Sequence, residues 1–121
     1  YFLWEPRPLN IDNMKKAASS LVGEHDFSCF RGSLCQAKSP IKTIEYIEIE
    51  SSRDELIINI KANAFLHHMV RNIVGTLLKI GRGEKDVDWM NSVLDSKDRK
   101  KAGPTAEPQG LYFIKAFYKE I

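Results

Sequence analysis

Between Asn63 and Leu66 the chain changes its hydrophobic period, and this change constrains the fold more than any other feature. Before it, Leu56, Ile58, Ile60 and Ala62 alternate with Ile57, Asn59 and Lys61, the period-two pattern of a strand with one buried face. After it, Leu66, Met69, Val70, Ile73, Val74 and Leu77 form one stripe of a helix that Gly81 ends. A strand running directly into an amphipathic helix over 61–83 requires a domain in which helices cover a sheet.

The flanking segments extend that scheme. Tyr1–Trp4 reads as a short strand closed by Pro6 and Pro8. Met14, Ala17, Ala18, Leu21 and Val22 then recur at helical spacing, with Asn10 or Asp12 as N-cap and Gly23 as stop. From Glu24 to Pro40 the period is lost while Phe27, Phe30, Cys29 and Cys35 remain, which fits a helical turn followed by a structured loop. Ile41–Glu50 is the partner strand of Leu56–Ala62 across a hairpin at Ser51–Glu55. Its parity slips, because Ile47 and Ile49 share one face while Ile44 and Tyr46 share the other; a bulge and a late strand start both fit. Asp86 can cap a short helix carrying Trp89, Met90, Val93 and Leu94, Ser96–Gly110 reads as a long basic loop, and Leu111–Tyr118 as a final strand.

Apart from the short extra helix, the order is β-α-β-β-α-β. That order predicts an α+β fold of ferredoxin-like or RNA-recognition-like type, its helices packed mainly on one face of the sheet. The Arg/Lys-Gly-aromatic run of a standard RNA-recognition strand is missing.

At 121 residues and 43% hydrophobic content the chain supports one core, so one domain is expected over 1–121. Eighteen Lys and Arg against 16 Asp and Glu give a net charge of +2, which permits a nucleic-acid partner without requiring one. Two cysteines make a poor disulfide scaffold, and His25, His67 and His68 lack metal-ligand spacing, so reduced thiols and no metal are expected. No run nears the roughly 18 apolar residues of a membrane span, and no cleavable leader opens the sequence. A cytoplasmic protein is the expectation. The chain opens on Tyr1 within an apparent strand, so it is expected to begin inside something longer.

Three places carry residue types suited to chemistry. Arg71 lies opposite the apolar stripe of the second helix, with His67 one turn before and Gly75 one turn after. A helix-interior glycine is about 1 kcal/mol worse than alanine, which suggests a ligand or second domain approaching the backbone beside Arg71. The alternative is a solvated helix charge. Adjacent His67 and His68 point about 100° apart and cannot share a metal as an i, i+4 pair does. Phe27–Arg31 and Cys35–Pro40 mix aromatic anchors with Arg31, Gln36 and Lys38, types that meet phosphates and base edges or are simply solvated. Lys97, Arg99, Lys100 and Lys101 form a basic cluster suited to phosphate contact on an exposed loop, or to solubility. A cysteine-histidine nucleophile has no local signature here, and buried inert thiols are commoner.

Gly23-Glu24-His25-Asp26-Phe27-Ser28 with Phe30-Arg31 and Cys35-Gln36, then Lys61 through Gly75 (Lys-Ala-Asn-Ala-Phe-Leu-His-His-Met-Val-Arg-Asn-Ile-Val-Gly), and finally Gly110-Leu111-Tyr112 together resemble the C-terminal half of the tRNA pseudouridine synthase A (TruA) family. The resemblance implies an isomerase of uridines in the tRNA anticodon stem-loop, acting without cofactor as a homodimer of two-part subunits. It implies that the nucleophilic aspartate stands in an N-terminal half absent from this sequence, and that Arg71 is the arginine that pairs with it. With that resemblance, Leu66 and Val70 are expected as apolar neighbours of the base or of the paired half, or as core residues, with His68 and Asn72 as further substrate-side candidates; by residue type, Arg31, Gln36, Lys38, Arg82, Lys100 and Lys101 are the RNA-side candidates. On this reading the isolated chain is inactive; the other readings are a stand-alone RNA-binding module of ferredoxin-like fold and a dimerisation or structural domain.

Overall fold

In a computed structural model of the chain, the described residues are 2–4, 9–31, 39–52, 55–66, 69–103 and 115–118. They form an α+β fold: strands β1 (Phe2–Trp4), β2 (Gly23–Asp26), β3 (Ile41–Ser52), β4 (Glu55–Ala62) and β5 (Lys115–Tyr118), and helices α1 (Ile11–Ser19), α2 (Met69–Gly81) and α3 (Asp88–Ser96). Two single 3-10 turns, Ser28–Phe30 and Arg99–Lys101, complete the described elements.

The antiparallel centre is β2-β3-β4. Ile47, Ile49 and Ser51 pair with Ile60, Ile58 and Leu56, and paired residues share a face, so the alternating set of β4 meets its counterpart on β3. The register shifts between Ile44 and Tyr46, which settles the parity slip as a bulge. The bulge returns Ile44 to the buried face opposite Ala62. Lys61 Nζ lies 3.1 Å from Glu45 Oε2 at the bulge, a half-exposed pair worth under about 1 kcal/mol.

β1 runs antiparallel to β4 over Glu55–Ile57, and β5 runs parallel to it over Asn59–Ala62. The expected six-element order therefore holds only with additions. β2 is a strand where a helical turn and then a loop were expected, the turn following it at Ser28–Phe30; the short helix expected around Trp89 stands after α2 as α3, and β5 lies directly against β4. The polar sequence Gly-Glu-His-Asp hides β2, because an edge strand needs little apolar alternation.

α1 is capped by Asn10, whose Oδ1 accepts the Asn13 N–H at 3.0 Å. It ends at Ser19 rather than at Gly23: three successive i→i+3 bonds, from Ser20, Leu21 and Val22, tighten the chain beyond it. Leu21 is still buried, whereas Val22 is 41% exposed. Gly23, at φ +104°, makes the turn into β2.

The stripe of α2 is buried as its spacing requires, with Met69, Ile73, Val74 and Leu77 fully covered. Removing one such side chain to Ala typically destabilises by about 2–5 kcal/mol, a large share of a domain's net stability. α1 packs on α2 and on β3. The Asn10 N–H donates to the Gly81 carbonyl at 2.7 Å, and a Cβ on Gly81 would stand 2.5 Å from Met14 Sδ, so the end of α2 is seated closely on α1. Asp86 caps α3 by accepting the Trp89 N–H at 2.9 Å. No helix among the described residues is long and apolar enough to cross a membrane.

Candidate functional site

The 3-10 turn Ser28–Phe30 packs against α2 and against the 3-10 turn Arg99–Lys101. A ring of polar contacts joins them. Asn72, 1% exposed in the first turns of α2, donates from Nδ2 to the Phe30 carbonyl at 2.8 Å. Its Oδ1 accepts from Arg99 Nη2 at 3.1 Å, and Arg99 Nη1 donates to the Gly103 carbonyl at 2.7 Å. The Gly103 N–H donates to Thr76 Oγ1 at 3.0 Å, and the Thr76 hydroxyl closes the ring on the Asn72 carbonyl at 2.8 Å. Asparagine suits its position because one short side chain must both donate and accept.

Arg71 lies half-buried in the first turn of α2, next to Asn72 in sequence. Arg31 lies half-buried immediately after the Ser28–Phe30 turn, next to Phe30. Each arginine thus adjoins one end of the Asn72–Phe30 hydrogen bond. A cation in the first turn of a helix opposes the macrodipole by about 0.3–1 kcal/mol, so Arg71 is not there to stabilise α2.

Other candidate residues fall differently. Leu66 is 3% exposed and belongs to the core, and Val70 is half-buried against it. Asn72 is committed to the internal ring, so any influence on substrate passes through neighbouring groups. Lys100 and Lys101 are exposed, as is Lys97. Arg99, read from sequence as part of the same exposed cluster, turns inward to Asn72 and Gly103. Arg82 lies at the far end of α2, about 16 Å along the axis from Arg71, and the two are not brought together. His68, Gln36 and Lys38 lie outside the described residues, as do His67 and Cys35.

The close approach expected at Gly75 is present, but its source is this chain. Gly75 is buried, and a Cβ on Gly103 would stand 3.1 Å from its carbonyl oxygen and 2.8 Å from Thr76 Cα. Within the chain, the group that approaches this backbone is Gly103.

Asp26 accepts from the Ser28 hydroxyl at 2.6 Å and from the Ser28 N–H at 2.9 Å. The hydroxyl bond chiefly lowers its pKa; partial burial opposes this, while the Ser28 N–H and the charge of Lys97 assist. That carboxylate builds the 3-10 turn. Burial pushes the Cys29 thiol up to about 12, so it is protonated at neutral pH and unsuited to nucleophilic attack. Among the described residues no three His, Cys, Asp or Glu side chains gather as a metal site. The geometry is that of an α+β domain in which two half-buried arginines flank a hydrogen-bonded frame, a residue type suited to anionic groups.

The chain belongs to the tRNA pseudouridine synthase family, whose model matches residues 17–119. It is 49% identical over 117 residues to tRNA pseudouridine synthase A of Nitrosococcus oceani, covering 97% of this chain and 45% of the relative. It is 48% identical over 115 residues to the protein of the same name from Pseudomonas aeruginosa (95% and 40%), and 51% identical over 115 residues to that of Janthinobacterium sp. (95% and 42%). The chain therefore spans less than half the length of these relatives.

Proposed function

We propose that this chain is the arginine-bearing C-terminal domain of a tRNA pseudouridine synthase that isomerises uridine to pseudouridine in the anticodon stem-loop. The observation that carries the reading is Arg71, half-buried at the start of α2 beside the locked Asn72, in a chain of this family. The reaction breaks the N1–C1′ bond of a flipped uridine, turns the base, and forms C5–C1′; C5 gives up its proton and N1 regains one, so no redox group is needed. An aspartate from the upstream half acts against the sugar or base. Arg71 holds that carboxylate ionised and oriented through a two-pronged pair, and the N-terminal end of α2 favours the same negative charge. The antiparallel β1-β4-β3 order agrees with a ferredoxin-like sheet, while the pairing of β5 with β4 rather than with β1 departs from it. The working enzyme is a cytoplasmic homodimer in which this domain faces its N-terminal half and tRNA. Exposed Lys97, Lys100 and Lys101 on and beside the second 3-10 turn serve the RNA backbone, with Arg31.

The test is pseudouridine formation by the full-length polypeptide carrying this chain. Arg71→Ala and Arg71→Lys are expected to lower turnover by about 100-fold or more, because lysine cannot reproduce the two-pronged pair. The 121-residue chain alone is expected to form none. Unchanged turnover in the Arg71 variants removes the catalytic role; tRNA binding without turnover by the full-length protein favours an RNA-binding module instead.

A further inference from the structure

We infer that Arg99 is a positioning residue that locks the Arg31 and Arg71 segments to one another through Asn72. The inference rests on the reading of Arg71 given above. Arg99 stands in a run with exposed Lys97, Lys100 and Lys101, yet its guanidinium turns inward and spans two acceptors on different segments, Asn72 Oδ1 and the Gly103 carbonyl. A lysine ammonium, a point donor on a flexible stem, would not hold both acceptors in the fixed geometry of two planar prongs. The acceptor at Asn72 belongs to a side chain whose other end holds Phe30, and Phe30 precedes Arg31. The guanidinium of Arg99 therefore fixes the amide that sets the distance between the two arginine-bearing segments. Gly103 completes the lock by seating its backbone on Thr76, where no Cβ fits.

A polar ring is a weak device for stability alone, since apolar packing of equal volume often does as well. Its value lies in direction: the side chains flanking it meet their anionic partners without first being ordered, which acts on the bound reaction more than on the encounter.

The experiment compares parent, Arg99→Met and Arg99→Lys in the full-length polypeptide, measuring kcat and KM for pseudouridine formation in tRNA together with the melting temperature. Arg99→Met is expected to lower kcat about tenfold or more while KM changes by less than roughly threefold, and Arg99→Lys to recover only part of the loss. If only the melting temperature moves and kcat per folded molecule stays parental, the residue is structural and the inference is overturned. A raised KM at parental kcat makes Arg99 an RNA contact and equally overturns it. Should Arg99→Met not fold, Thr76→Val, which cuts the Gly103 tether from the other side, carries the same readout, and a parental kcat there decides against the lock. An inactive parent overturns the proposed function and this inference with it, whereas an active parent with parental variants overturns this inference alone.

Discussion

Gly103 and Thr76 are in such close register that a Cβ on the glycine would stand 2.8 Å from Thr76 Cα. The obstacle is helix backbone, which cannot rotate away as a side chain can. Gly103→Ala is therefore expected to destabilise the fold by about 1–3 kcal/mol, the range of overpacked sites. Thermal unfolding followed by circular dichroism would register this as a fall of several degrees. A melting temperature equal to the parent's would mean that the segment after Arg99–Lys101 lifts off α2 freely.

Asn72→Ala removes the donor to Phe30 and the acceptor for Arg99 together. Two groups then lose partners in a partly or fully buried setting, with an expected loss of about 2–5 kcal/mol. Urea unfolding should show a lower midpoint with an unchanged slope. Asn72→Asp keeps an acceptor for Arg99 but cannot donate to Phe30, so its midpoint should fall between those of Asn72→Ala and the parent.

Cys29 is fully buried, and its thiol is pushed up to about 12 by that burial. In the folded chain at pH 8, iodoacetamide should leave Cys29 unmodified, with alkylation appearing only on addition of denaturant. Mass spectrometry of the peptide containing Cys29 distinguishes it from Cys35. Rapid labelling under native conditions would show that the turn Ser28–Phe30 opens readily.

Asp26 has a lowered pKa in the fold, chiefly through the Ser28 hydroxyl. The unfolded state therefore takes up the proton first as the pH falls. The stability this carboxylate contributes is present above its ordinary value of 3.8 and is lost as pH falls through the lower, folded value. Asp26→Asn should flatten that part of the acid limb and lower stability at neutral pH. Equal slopes below pH 4 in the two proteins would show that another group governs it.

The elements with strong periodicity were legible in the sequence. The stripe of α2, the paired faces of β3 and β4 and the slip at Ile44–Tyr46 all follow from apolar spacing. What could not be read has a common physical origin. β2 is a polar edge strand with no alternation to reveal it, and the early end of α1 is set by backbone bonds that leave Leu21 buried. Arg99 is indistinguishable by composition from the lysines around it; its inward turn depends on Asn72, 27 positions away, and on the Gly103 carbonyl. The seating of Gly103 on the Gly75 and Thr76 backbone could not be read, because Gly103 carries no pattern of its own. The proposed pairing of Arg71 with a carboxylate comes from family resemblance, since spacing alone left open whether Arg71 meets a ligand or second domain or is a solvated helix charge.

β4 has β3 along one side, while its other side is shared by β1 near Glu55–Ile57 and β5 near Asn59–Ala62. A nascent chain leaving the ribosome could form the β3–β4 hairpin early, yet half of that second edge would stay open until residues 115–118 emerged. Such an edge invites pairing with other chains, so translation pauses or truncations before Lys115 should favour aggregation over slow, long-range closure.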